Sequence, residues 1–234
     1  MTAGCKVKLC GTTSRLDADM AARAGADWFG VVVETDFSPR SLTIEEAGPL
    51  FADPPLPAVT LVFEMPESRL MQLAETLRPH AIQFLSQEDP ALLLRLKAEF
   101  PEIQLWQSLH LPPAGAAVEL EPVRKAVRDY LAAGADLLLF DTAAVVGGTK
   151  KFGGTGITAD WGVIRTVLDE IRGTVPVLLA GGIGPENAAA AIEAVRPDGL
   201  DLCSGVEAAP GKRDPAKVRA LMEAVRGAGN GRTE

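Results

Sequence analysis

The stretch VLLAGGIG at residues 177–184 decides the fold, because a short apolar run passes in it directly into a glycine-rich turn. The stretch LDLCSGVE at residues 200–207 has the same design. Continuous apolar runs are typical of parallel strands that are covered on both faces. Glycines just after such strands allow a close backbone turn or a close approach to an anion. The two stretches therefore predict neighbouring parallel strands whose ends lie together.

Working outward, the same alternation of apolar run, turn and amphipathic run fills the chain. We predict helices at 16–24, 43–51, 67–77, 89–100, 121–132, 161–171, 185–195 and 214–225. The predicted strands are 6–10, 27–33, 58–63, 81–85, 103–108, 137–140, 177–180 and 200–203. Thr43 and Glu46 form a capping-box pattern at one helix start, and Pro185 suits the first turn of another.

Eight strand–helix units favour a closed barrel over an open sheet. An open doubly wound sheet is also expected to carry a Gly-x-Gly-x-x-Gly turn after its first strand, and residues 10–14 (CGTTS) do not match it. We therefore predict a single α/β domain, a (β/α)₈ barrel at residues 1–226, followed by a disordered tail at 227–234. The glycine-rich segment 142–158 is predicted to be a long loop that could close as a lid.

Composition limits the partners. The formal net charge of −8 argues against nucleic acid and anionic membranes, but backbone N–H groups can still hold a phosphate. No apolar run approaches the ~20 residues that span a bilayer. Three widely spaced cysteines, Cys5, Cys10 and Cys203, are neither a disulfide framework nor a zinc site. We expect a cytoplasmic protein without a metal, either a monomer or a homodimer.

The predicted barrel places the candidate site at the carboxyl ends of its strands. Gly181, Gly182, Ser204 and Gly205 follow the last two strands, where barrels often bind phosphate, and a short helix after the eighth strand would point its N–H groups at the anion. The alternative is that these glycines only form tight turns. Two such loops on adjacent strands favour phosphate binding.

Two ionisable residues end strands at the same mouth, Cys10 after the first strand and Asp141 after the sixth. A thiolate and a carboxyl group across one pocket can act as base and acid, provided that the thiol pKa is below its usual ~8.5. Spacing alone leaves open the alternative that Cys10 is a core residue and Asp141 a loop cap. Arg40, after the second strand, suits a carboxylate or phosphate, although a solvated arginine is more common.

These residues resemble the phosphoribosylanthranilate isomerase family of tryptophan biosynthesis. The likeness covers nearly the whole chain in order. It is carried by VKLCGTT at 7–13, AGAD at 24–27, Asp141, GGTG at 153–156, LAGGI at 179–183 and DLCSGVE at 201–207. The last two motifs together are quite specific.

The resemblance implies an Amadori rearrangement with no metal or organic cofactor. In it, Asp141 would protonate the furanose ring oxygen and Cys10 would remove the C2 proton. Gly181, Gly182, Ser204 and Gly205 would hold the phosphate, and Arg40 would face the anthranilate carboxylate.

The chain departs from the family pattern around the ring pocket. The fourth strand ends in QFLS at 83–86 instead of Gln-Leu-His-Gly, so the histidine is absent. Glu64 stands near the family's asparagine, Ile157 replaces a lysine, and Cys203 replaces the first serine of the eighth-strand motif. A buried Glu64 beside an anthranilate carboxylate would be unfavourable.

Three functions therefore stay open: this isomerase with an unusual ring pocket, a paralogue that isomerises another phosphorylated sugar or aminosugar, and a non-catalytic sugar-phosphate-binding barrel. Retention of both Cys10 and Asp141 counts against the third, because a pure binder needs neither.

Overall fold

The computed structural model describes residues 4–146, 149–152 and 157–230. Within them the chain alternates strands and helices as predicted. The strands are β1 (Lys6–Leu9), β2 (Trp28–Val32), β3 (Ala58–Val62), β4 (Ala81–Phe84), β5 (Gln104–Leu111), β6 (Leu137–Val146), β7 (Thr149–Phe152), β8 (Val177–Leu179), β9 (Gly199–Leu202), β10 (Glu207–Ala209) and β11 (Lys212–Arg213). The helices are α1 (Arg15–Ala24), α2 (Ile44–Ala52), α3 (Glu67–Leu77), α4 (Pro90–Glu99), α5 (Leu120–Ala132), α6 (Trp161–Ile171), α7 (Ala188–Val195) and α8 (Pro215–Asn230).

Eight parallel strands close into a barrel, which confirms the predicted fold. They follow one another as β1, β2, β3, β4, β5, β6, β8 and β9, and β9 pairs with β1. The β5–β6 pairing completes the ring. All eight strands point the same way, so their carboxyl ends surround one mouth.

Side chains fill the barrel in layers. A lower layer contains Trp28 and Trp106, whose rings meet edge to face with centroids 5.3 Å apart. An upper apolar layer, nearer the strand ends, contains Cys10, Val32 and Leu61. Between the sheet and the helices lies a larger apolar cluster, which provides the main hydrophobic stabilisation of the barrel.

Capping side chains lie at the starts of several helices. Thr43 caps α2 by accepting a hydrogen bond from the Glu46 N–H at 3.1 Å, and the Glu46 carboxylate accepts from the Thr43 N–H at 2.8 Å. The predicted capping box is therefore confirmed. Ser14, Asp89 and Asp160 cap α1, α4 and α6 in the same general way.

Three local predictions are wrong. Segment 142–158 was expected to be a loop, but β6 extends to Val146 and pairs antiparallel with β7. The sequence signal was a Gly-Gly pair between β-branched residues, a two-residue hairpin pattern. Residues 147–148 and 153–156 lie outside the described residues, and with them the GGTG motif.

The other two differences concern helix ends. Helix α7 begins at Ala188, so Pro185 precedes it rather than occupying its first turn. Helix α8 continues to Asn230, so residues 227–230, assigned above to the tail, are helical. Ala228 packs against the apolar core, and this contact stabilises the last turn of the helix. Residues 231–234 lie outside the described part of the chain.

Among the helices that the structure describes, none combines the length and the apolar character that crossing a membrane would require.

Replacing Thr43 with alanine should lower the free energy of unfolding by about 1 kcal/mol, because the Glu46 N–H loses its acceptor. For a chain of this size we expect a fall in Tm of roughly 2–4 °C. Urea denaturation of Thr43→Ala and of the matched control Thr43→Ser checks this. Equal stability of the alanine variant and the parent would show that the capping box contributes nothing.

Candidate active site

A cavity of about 360 Å³ opens at the carboxyl ends of the barrel strands. Such a volume suits a small ligand. All seven residues selected from the sequence line it, from five separate strand ends or loops: Cys10, Arg40, Asp141, Gly181, Gly182, Ser204 and Gly205. The prediction that they share one mouth is therefore confirmed.

Cys10 directly follows β1 and is only 6% exposed. Its backbone N–H donates to the Leu202 carbonyl at 2.7 Å, which fixes it beside β9. A hydrogen bond from the Cys203 thiol lowers the pKa of the Cys10 thiol; burial opposes this, and the positive charge of Lys8 supports it. The pKa of Cys10 therefore shifts in the direction that a base requires, and the main cause is a neighbour that the sequence did not single out for this role.

Asp141 lies in β6, and the pKa of its carboxyl group is raised, whereas that of the Cys10 thiol is lowered. Burial raises the pKa of its carboxyl from the usual 3.8 to about 7, although an N–H of Thr142 at 2.6 Å partly opposes the shift. The nearby charge of Asp201 adds to the increase. Asp141 can therefore hold a proton near neutral pH. Asp141 and Thr142 both lie within β6, so this bond does not cap a loop.

A buried ion pair lies beneath these two groups. The Lys8 Nζ donates to both carboxylate oxygens of Asp201, at 2.9 and 3.0 Å. Lys8 is fully buried, and the two residues are directly paired in the β1–β9 register. Sequence reasoning missed this pair, although a lysine inside an apolar strand was its signal. Because Asp201 also lines the cavity, the pair fixes charge at the site.

The two glycine loops approach each other closely. A Cβ on Gly205 would lie 2.1 Å from the Ile183 carbonyl oxygen, so only glycine fits there. Gly181 has φ +83°, in the left-handed region that favours glycine. Asn187 holds the first loop, accepting from the Gly184 N–H and donating to the Gly182 carbonyl, both at 2.9 Å. A short 3₁₀ turn, Ser204–Val206, follows β9 as predicted.

Arg40 lines the cavity but is also held from one side. Its Nε and Nη2 donate to the two Glu207 carboxylate oxygens at 2.7 and 2.5 Å, and both side chains are largely buried. Glu207 accepts a third hydrogen bond from the Gly211 N–H at 3.0 Å. The pairing with Glu207 raises the pKa of Arg40, so the guanidinium stays charged. The solvated surface arginine considered as the alternative is therefore excluded.

Arg213 is a further buried arginine that the sequence did not reveal. Its Nη2 donates to the carbonyl oxygens of Leu9 and Cys10 at 2.8 and 2.9 Å, and to the Thr12 hydroxyl at 2.7 Å. These bonds fix the end of β1, on which the Cys10 thiol is carried.

The altered strands three and four affect the cavity less than the sequence suggested. Glu64 is exposed, and its backbone N–H donates to the Ser86 hydroxyl at 2.9 Å. The cavity wall is formed instead by Leu61 and Leu85, with Phe37 and Pro39 also present. The expected conflict between a buried Glu64 carboxylate and an anionic ligand therefore does not arise.

Comparison with known proteins gives a consistent result. The sequence model of the N-(5'-phosphoribosyl)anthranilate (PRA) isomerase family matches residues 7–224. The N-(5'-phosphoribosyl)anthranilate isomerase of Methanocella arvoryzae is 38% identical over 223 residues, which cover 94% of this chain and 98% of that protein. The enzyme of the same name from Rhodopseudomonas palustris (strain BisA53) is 35% identical, with 94% and 95% covered.

Solved structures agree with this. The phosphoribosyl anthranilate isomerase of Thermotoga maritima superposes with a TM-score of 0.76 at 27% identity, covering 95% of this chain and 99% of that one. A phosphoribosyl anthranilate isomerase in complex with reduced 1-(o-carboxyphenylamino)-1-deoxyribulose 5-phosphate gives a TM-score of 0.74 at 25% identity, with the same coverage. The chain belongs to the N-(5'-phosphoribosyl)anthranilate isomerase family.

Proposed function

We propose that this chain isomerises N-(5'-phosphoribosyl)anthranilate in tryptophan biosynthesis, with Asp141 as general acid and Cys10 as general base. The activity follows from the family. The roles rest on one observation: a carboxyl group with its pKa raised to about 7 and a thiol with its pKa lowered line the same cavity. An acid that keeps its proton and a base that has lost its own are what this isomerisation requires.

The chemistry is a redistribution of protons within one substrate. Asp141 donates its proton to the furanose ring oxygen, the ring C–O bond breaks, and C1 becomes doubly bonded to the anthranilate nitrogen. The Cys10 thiolate then removes the C2 proton, and that electron pair forms the C1–C2 double bond of an enolamine. The Cys10 thiol then returns its proton to C1, and the C2 hydroxyl proton passes to the Asp141 carboxylate, which gives the ketose. The product is an isomer of the substrate, and both side chains return to their starting forms.

The two glycine loops are the proposed phosphate site, with Gly181, Gly182, Ser204 and Gly205 presenting mainly backbone N–H groups. Support comes from their common position on the cavity and from the close packing of Gly205 against the first loop. Backbone amides can bind phosphate without a basic surface, which is consistent with a chain of net charge −8.

Arg40 is proposed to bind the anthranilate carboxylate. A guanidinium carries five N–H donors, and the hydrogen bonds to Glu207 use two of them. The others can face a ligand from a side chain that is already ordered. Leu61, Leu85 and Phe37 provide an apolar wall suited to the aromatic ring.

Two broader properties are also part of the proposal. A cytoplasmic location is supported by three cysteines that are thiols rather than disulfides. A monomer or a homodimer fits the chain, and the Thermotoga maritima relative is described as dimeric. Light scattering of the purified protein measures the oligomeric state.

The activity is tested by adding purified chain to freshly prepared N-(5'-phosphoribosyl)anthranilate and following the loss of anthranilate fluorescence, with mass spectrometry to show an isomeric product. Growth of a tryptophan auxotroph that lacks the isomerase is the matching test in cells. Conversion supports the proposal. A folded chain that binds inorganic phosphate but leaves this substrate unchanged would instead favour the paralogue or the non-catalytic barrel.

Asp141→Asn should lower kcat by about 10²-fold or more, because an amide cannot protonate the ring oxygen. Binding of the reduced product analogue, measured by calorimetry, should stay within about threefold of the parent, since the phosphate loops and Arg40 are intact. Cys10→Ser is the partner variant and should show the same pattern. Full activity of Asp141→Asn would remove the acid assignment.

The same variant should change the pH dependence of stability. The carboxyl pKa is 3.8 in the unfolded chain and about 7 in the folded one. Below the lower value both states hold the proton. Between the two values only the unfolded state loses it, so the parent loses up to about 1.4 kcal/mol of stability per pH unit.

Asp141→Asn has no proton to lose and escapes this decrease. Its unfolding free energy relative to the parent should therefore rise from pH 4 to pH 7 in urea titrations at matched ionic strength. A difference that stays constant over this range would show that the folded carboxyl is ionised throughout.

Gly205→Ala should weaken inorganic phosphate binding by about tenfold or more, because the new Cβ forces apart the two loops that are proposed to hold the anion. Gly227→Ala is the matched control, since a Cβ there meets no atom within 4 Å. Calorimetric titration measures both. Equal phosphate affinity in the two variants would show that the loop contact is irrelevant to the anion.

A further inference from the structure

We propose that Cys203 is a positioning residue for the base: its thiol donates a hydrogen bond to the Cys10 sulfur and thereby holds Cys10 as a thiolate. The inference rests on the proposed function only in taking Cys10 to be the base.

The barrel register brings the two thiols together. Lys8 pairs with Asp201 and Leu9 pairs with Leu202 between β1 and β9, so the next inward-facing residues are Cys10 and Cys203. Both line the cavity, and both belong to the upper apolar layer of the barrel. A Cβ on Gly11 would lie 2.8 Å from the Cys203 sulfur, so a glycine beside Cys10 leaves room for that thiol.

The surroundings explain why Cys10 needs a donor. Val32, Leu61 and Leu85 pack around the thiols and provide no polar side chain. A thiolate among such groups is disfavoured by desolvation unless a hydrogen bond or a cation compensates. Lys8 also forms a hydrogen bond with Cys10. The hydrogen bond from Cys203, on the same layer as Cys10, is the largest influence that lowers the pKa of Cys10.

The charges around the pair decide which sulfur is ionised. Lys8, below Cys10 on the same face of β1, and Arg213, from β11, favour a thiolate at Cys10, while Asp201 from β9 opposes it. The hydrogen bond to Cys10, together with burial, raises the pKa of Cys203 well above its usual range. Negative charges on two adjacent sulfur atoms would repel each other. The proton in the hydrogen bond therefore stays on Cys203.

Three other charged groups face this region. Arg40, from the loop after β2, favours a negative charge on Cys203, whereas Glu207 from β10 opposes it. Asp141 reaches the cavity from β6 and is proposed to be neutral below about pH 7. At Cys203 the effects of the paired Arg40 and Glu207 oppose each other, so Lys8 and Arg213 are the cations that favour ionisation of Cys10.

Two substitutions at Cys203 distinguish the loss of the hydrogen-bond donor from the loss of side-chain packing. Cys203→Ser keeps a donor of similar size, whereas Cys203→Ala removes the donor. Alkylation by iodoacetamide requires the thiolate, so its rate against pH reports the ionisation of Cys10 without any turnover. Trypsin cuts after Lys8, Arg15, Arg172 and Lys212 but not at the Arg196–Pro197 bond. Cys10 therefore lies on peptide 9–15 and Cys203 on peptide 173–212, which mass spectrometry quantifies separately.

We expect the midpoint for Cys10 alkylation to move upward by about one pH unit in Cys203→Ala, a roughly tenfold lower rate below the midpoint. In Cys203→Ser the midpoint should stay close to that of the parent. An unchanged midpoint in the alanine variant, or preferential alkylation of Cys203 in the parent at low pH, would overturn the inference.

The alkylation midpoint is measured separately from turnover, so failure of the inference can be distinguished from failure of the proposed function. If the alanine variant shifts the midpoint but the parent does not turn over the substrate, the thiol pair stands and the activity fails. If turnover is normal and the midpoint does not move, the activity stands and the inference fails.

Discussion

The buried ion pair between Lys8 and Asp201 is the interaction on which the site depends. It joins the first and last barrel strands at the place where the ring closes. Desolvation by itself would lower the pKa of Lys8, but the charges of Asp201 and Cys10 raise it, so the ammonium stays protonated inside the barrel. A buried pair of this kind contributes little net stability, and breaking it would leave an uncompensated charge. In this barrel the ion pair instead provides a fixed arrangement of charges beneath the cavity.

Together with burial and the Cys203 thiol, that pattern shifts the pKa values of two groups that would otherwise be unsuited to acid–base chemistry near neutral pH. The thiol of Cys10 gains a cation and a donor, and its pKa falls. The carboxyl of Asp141 gains desolvation and a nearby negative charge, and its pKa rises to about 7. The environment thus favours a proton on Asp141 and ionisation of Cys10, the directions that their proposed roles require. Environment, rather than residue type, would assign the two proposed roles.

The sequence was sufficient for the features that are local or periodic. Eight apolar runs, the capping box at Thr43 and the two glycine loops all follow from near-neighbour patterns. The contacts that tune the site could not be predicted, because Lys8 and Asp201 or Arg40 and Glu207 are far apart along the chain and meet only through barrel closure. The β6–β7 hairpin differs from the predicted loop for another reason: a Gly-Gly pair is compatible with a long loop as well as with a two-residue hairpin turn.

The most direct test of the account is a ¹³C NMR titration of the Asp141 carboxyl carbon in the folded parent chain, assigned by the signal that disappears in Asp141→Asn. We predict a midpoint near pH 7, since burial holds the proton on this carboxyl group. A midpoint near the ordinary value of 3.8 would mean that Asp141 is already ionised at neutral pH and cannot be the acid.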